Sequence, residues 1–126
     1  MKDFEFYVEL SERLDNSGLV WHPEIGDEVT ERPSYEKISI LVDPSGQTVS
    51  ELRKSFLWLP TVEQLVQQFE ARQAIISHAG LRDDFKYETV IRAPHGVIEA
   101  AGKSLRISFG RALEELITKS SSGSIH

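Results

Sequence analysis

The sequence predicts an α+β domain, a two-layer sandwich with helices on one face of a small, mostly antiparallel sheet. Three patterns predict it. Apolar residues recur every three to four positions in 4–15, 61–76 and 104–116. They alternate singly in 37–42 and again in 84–92. Between 84–92 and a second extended run, 97–101, Ala93-Pro94-His95-Gly96 places proline second and glycine fourth, as a type I turn prefers.

The first helix is read over 4–15. Phe4, Tyr7, Leu10 or Ser11, and Leu14 share a face, Asp3 is suited to cap the start, and Asn16-Ser17-Gly18 offers a stop. Leu19 to His22 reads as a short extended piece ended by Pro23, and Glu24 to Ser34 as a polar loop. In 37–42, Ile38, Ile40 and Val42 point one way and Ser39 and Leu41 the other. Asp43-Pro44-Ser45-Gly46 is a turn by composition.

Residues 48–56 support two readings. Thr48 with Glu51 has capping-box spacing and Val49, Leu52 and Phe56 fit a helical face, yet Leu52, Lys54, Phe56 and Trp58 also alternate. The helix is preferred. A further helix opens on the Thr61–Gln64 capping box, with a stripe of Val62, Leu65, Val66, Phe69, Gln73 and Ile76, and Gly80 marks a turn. The last helix is capped by Ser104, buries Leu105, Phe109, Ala112, Leu113 and Leu116, and pairs Arg111 with Glu115 on its wet side. The domain is expected to span 1–118, with a disordered Ser/Gly-rich tail over 119–126.

At 126 residues and 14.3 kDa, with 40% hydrophobic and 27% charged residues, the chain has the composition of an ordinary soluble globular protein. It contains no cysteine, which excludes disulfides, thiolate zinc sites and cysteine nucleophiles together. The net charge of −6 argues against a protein that coats nucleic acid or anionic lipid. The acids crowd into residues 1–36, so an anionic partner would meet the C-terminal part first. The N-terminus is acidic and amphipathic rather than signal-like, and the longest apolar run falls far short of a membrane span. A cytoplasmic location is expected, with no membrane partner.

Catalytic motifs are absent: no Gly-x-Ser-x-Gly elbow, P-loop, dinucleotide fingerprint or His-Glu-x-x-His occurs. No catalytic residue, cofactor or metal ligand is therefore assigned. The densest polar constellation is His22, Glu24, Asp27 and Glu28, of types a divalent metal accepts, although one loop supplies them all. His78 precedes the adjacent acids Asp83 and Asp84, which read as a solvated loop. Lys103, Arg106, Arg111 and Lys119 put positive charge around the last helix, with Lys86 and Arg92 on the hairpin and Phe85 and Tyr87 available to stack on bases. The run Phe56-Leu57-Trp58-Leu59-Pro60 is the strongest interaction candidate. Five consecutive apolar residues are either enclosed on both sides or leave surface for a partner.

The entry Trp58-Leu59-Pro60-Thr61-Val62-Glu63-Gln64-Leu65 resembles that of small uncharacterised bacterial and phage proteins with a Trp-Leu-Pro-Thr-x-Glu-Gln-Leu helix start. Trp21-x-Pro23-x-x-Gly26-Asp27 upstream, and Ser104-Leu105-Arg106 with Gly110-Arg111-Ala112-Leu113 downstream, add to the likeness, which covers residues 19 to 118. The resemblance implies an α/β/α or two-layer sandwich and brings no activity, cofactor or catalytic residues. The expected function is a non-enzymatic interaction protein that binds itself or another protein, most simply as a homo-oligomer. Its candidate surface is Trp58 with Phe56 and Leu57, joined by Trp21. The alternatives are a nucleic-acid accessory factor using Lys103, Arg106 and Arg111, and a metal-dependent hydrolase at the His22, Glu24 and Asp27 loop.

Overall fold

Four helices and two three-stranded antiparallel sheets make up the described residues, 2–43 and 46–123, of the computed structural model. The fold is α+β as expected, but the strands divide into two sheets where one was anticipated.

Helix α1 (Lys2–Asn16) starts one residue before Asp3, so Asp3 lies in its first turn, beside Glu5, instead of capping it. The predicted face is the buried one, with Tyr7, Leu10, Ser11 and Leu14 all enclosed. The stop also falls where expected. Gly18 takes a left-handed φ of 108°, and the Leu19 amide donates back to the Leu14 carbonyl at 3.0 Å.

The expected polar loop over 24–34 contains the central strand of the first sheet. Strand β1 (Glu28–Glu31) pairs with β2 (Ser39–Ile40) on one side and β3 (Phe56–Trp58) on the other. Acids flank Val29 and Thr30, so local composition hides a strand that long-range pairing creates. Both are fully buried, and the Thr30 hydroxyl donates to the Lys37 carbonyl at 2.8 Å. The run 37–42 keeps only two strand residues, and of its two faces it is the one carrying Leu41 that is buried. Pro44 and Ser45 of the expected turn lie outside the described residues.

Residues 48–58 realise both of their readings in succession. Helix α2 (Val49–Ser55) opens on the reciprocal Thr48–Glu51 box, and β3 begins at the next residue. Helix α3 (Val62–Ala71) carries the Thr61–Gln64 box but ends before the expected stripe does. Gln73 turns the chain with a φ of 59°, and Ala74 donates to the Phe69 carbonyl at 2.9 Å. Ile76 and Gly80 therefore belong to a strand, β4 (Ile75–Leu81), that helical periodicity had absorbed. The second sheet, in the order β4-β5-β6, is completed by β5 (Tyr87–Ala93) and β6 (Gly96–Gly102), joined by the turn at Pro94-His95.

Helix α4 (Leu105–Gly123) starts where predicted, with Ser104 Oγ accepting the Ile107 amide at 3.1 Å. It continues through the stretch from 119 read as a tail; residues 124–126 lie outside the described residues. Glu115 pairs with Lys119 at 3.8 Å, not with Arg111 as expected. The helix lies across β5 and β6, with Thr89 and Ser108 sharing a hydrogen bond at 2.6 Å beneath it. Packing is close at Gly102, where an added Cβ would stand 2.9 Å from the Ser108 amide nitrogen. One apolar cluster joins α1, α3 and α4 to β3 and the second sheet, including an edge-on Phe69–Phe109 pair. A smaller one gathers Trp21, Val29, Leu41 and Leu52.

Candidate functional site

The strand alternation of β3 decides what the run Phe56–Pro60 does. Leu57 enters the main cluster, while Phe56 packs against the smaller one on the other side and Trp58 touches both. Leu57 and Leu59 are each 1% and Trp21 3% exposed, so these three are enclosed and offer no surface to a partner. Phe56 and Trp58 are half-buried. Trp21 and Trp58 do come together, stacked 6.5 Å apart with planes 13° from parallel.

Beneath the stacked indoles lies a closed polar network. The buried carboxylate of Asp27 accepts the Trp21 indole N–H at 2.8 Å, the Glu24 amide at 2.9 Å and the Gln64 carboxamide at 2.8 Å. Gln64 Oε1 in turn accepts the Trp58 indole N–H at 3.2 Å and the Thr61 amide at 2.9 Å. The Trp-x-Pro-x-x-Gly-Asp and Trp-Leu-Pro-Thr-x-Glu-Gln segments are thus two halves of one brace. Its donors and acceptors are spent on one another, which makes it structural.

The metal-ligand constellation is not assembled. Asp27 is committed to the brace, Glu28 pairs with Arg106 at 3.0 Å, and His22 and Glu24 are exposed. No three potential ligands converge among the described residues. Asp83 and Asp84 do not form an acid/base couple either. Asp84 is bound by the Arg82 guanidinium at 2.7 Å, whose hydrogen bonds hold its carboxyl down at about 2, and His78 faces Glu88 at 3.6 Å.

Arg106 is likewise engaged within the protein. Its Nε donates to the Pro60 carbonyl at 2.7 Å and its Nη2 to the Leu59 carbonyl at 2.6 Å, and its plane lies 4.6 Å from the Tyr7 ring centre. Tyr7 donates to the same Pro60 carbonyl at 2.6 Å, and burial pushes its phenol up to about 12. Lys103 and Arg111 instead join two cations of the β4–β5 loop. Arg82, Lys86, Lys103 and Arg111 surround a cavity of about 380 Å³ with Phe6 and Ile107 in its wall. Sequence reasoning missed Phe6 and Arg82 here, since nothing local signals that the first helix meets this loop.

A second unpredicted surface is β4 itself. It is an edge strand, exposed along most of its length, with Ile75 at 67% and Leu81 at 55% exposure. The loop that follows holds Phe85 at 80% exposure in a left-handed conformation, φ 61°. A large apolar residue gains nothing from that backbone, and glycine or asparagine is what the position ordinarily selects.

No family model, curated protein or solved structure matches the chain. No helix among the described residues is long and apolar enough to cross a membrane.

Proposed function

We propose that the protein is a non-enzymatic interaction module that self-associates along β4. The observation that supports this is a seven-residue edge strand, paired with β5 on one side only, whose exposed apolar residues continue into the strained, solvent-facing Phe85. The ladder to β5 shifts between Ile76 and His78, leaving 78–81 as the regular part of the edge. Ala79 pairs with the buried Thr89 and Leu81 with Tyr87, so both lie on the α4 side of the sheet, while Gly80 lies opposite. An antiparallel second copy centred on Gly80 sets each Leu81 over the small Ala79 of the other. That pairing joins two three-stranded sheets into one and keeps apolar residues on one face.

Light scattering from about 10 μM to about 0.5 mM protein tests this, a range that covers weak self-association. A mass rising above 14.3 kDa with concentration is expected, and Leu81→Lys should hold the chain monomeric. Phe85→Asn should weaken association while raising stability by up to about 1 kcal/mol, because asparagine accepts the left-handed backbone more readily. A wild-type monomer throughout this range overturns the reading.

A further inference from the structure

We propose that the cavity between α1, the β4–β5 loop, the end of β6 and the start of α4 binds a small aromatic phosphate monoester. This is a different surface from the β4 edge and does not depend on self-association.

The electrostatics motivate it first. The chain carries a net charge of −6, yet four of the nine residues lining this cavity are cations and Asp3 is the single acid. Arg82 is already neutralised by Asp84 at 2.7 Å and approached by Glu88 at 3.8 Å. Lys86, Lys103 and Arg111 form no ion pair among the described residues. Set against Asp3, Asp84 and Glu88, the four cations leave an excess of one positive charge. Holding like charges together opposes folding unless an anion offsets them, and a phosphate monoester carries about −1.5 to −2 at neutral pH.

Geometry supplies the rest. Arg111 is fixed in place: its guanidinium lies 5.0 Å from the Phe6 ring centre, and its Nη1 donates to the Ala101 carbonyl at 2.9 Å. A planar fork held this way loses little freedom on meeting phosphate oxygens. Phe6, Ala101, Gly102 and Ile107 give the wall an apolar section suited to a ring. The volume of about 380 Å³ lies within the range of small-molecule sites. Charge selects the phosphate, and the apolar wall selects what it is attached to.

Calorimetric titration with phenyl phosphate, followed by amide chemical-shift mapping, tests the assignment. Saturable binding is expected, with shifts centred on residues 101–103 and 111 and weakening with added salt. Because both lysines are exposed, the double variant Lys86→Ala/Lys103→Ala should fold as the parent does and bind about tenfold more weakly, the loss expected for charge-assisted contacts. Leu81→Lys should leave binding unchanged, which separates this site from the association surface. Absence of binding, equal binding by the double variant, shifts centred elsewhere, or equal affinity for inorganic phosphate would each overturn the proposal.

Discussion

Gln64 donates its carboxamide hydrogen to the buried Asp27 carboxylate at 2.8 Å across 37 positions of sequence. This one bond ties the start of α3 to the turn that leads into β1. It also sets the level at which Trp21 and Trp58 stack, since each indole N–H ends on one of the two partners.

Replacing Asp27 with alanine strands three donors at once: the Trp21 indole, the Glu24 amide and the Gln64 carboxamide. A loss of about 2–4 kcal/mol is expected, because buried donors left without a charged acceptor lose more than the bond itself. Gln64→Ala should cost about 1–2 kcal/mol on the same grounds. The double variant should cost less than the two together, since the residues share one network. Urea denaturation followed by tryptophan fluorescence measures all three. Additive effects would show that the brace does not act as a unit.

Arg106→Lys keeps the charge and loses the fork that reaches the Leu59 and Pro60 carbonyls and Glu28 together. A destabilisation of about 2 kcal/mol is expected from the carbonyls left behind. If Arg106 instead served an anionic partner, lysine would largely preserve stability. Thermal or urea unfolding of the variant distinguishes the two.

Acid should loosen the β4–β5 loop late. Asp84 is held at about 2 by its hydrogen bonds from Arg82, below the ordinary aspartate value, so its folded form favours the ionised state. The stabilisation it provides is complete above the unfolded value near 4 and is lost as pH falls through about 2. Carbon-detected NMR titration should place the Asp84 midpoint near 2 and show the Phe85 amide moving with it. A midpoint at the ordinary value would mean that the Arg82 pairing is absent in solution.

Local chemistry was legible in the sequence wherever a motif closes within a few residues. The two capping boxes, the Ser104 cap, the Gly18 stop and the hairpin turn at Pro94-His95 each depend on near neighbours, and each forms as read. The buried stripes of α1 and α4 were legible for the same reason, because a helix face is set by spacing alone. Strands that owe their existence to distant partners were not. Val29 and Thr30 sit among acids, and β4 begins four positions after the last residue of α3, within an apolar stripe that keeps helical spacing as far as Ile76. The sequence by itself determined the α+β class, the caps and the apolar residues that build the core. Only the tertiary structure decided that Leu57 and Trp21 are enclosed, that Asp27 and Arg106 are used up inside the protein, and that cations from the β4–β5 loop and from Lys103 and α4 surround one cavity. Burial, charge pairing and cavity shape depend on which segments meet, and that is a property of the whole fold rather than of any window of sequence.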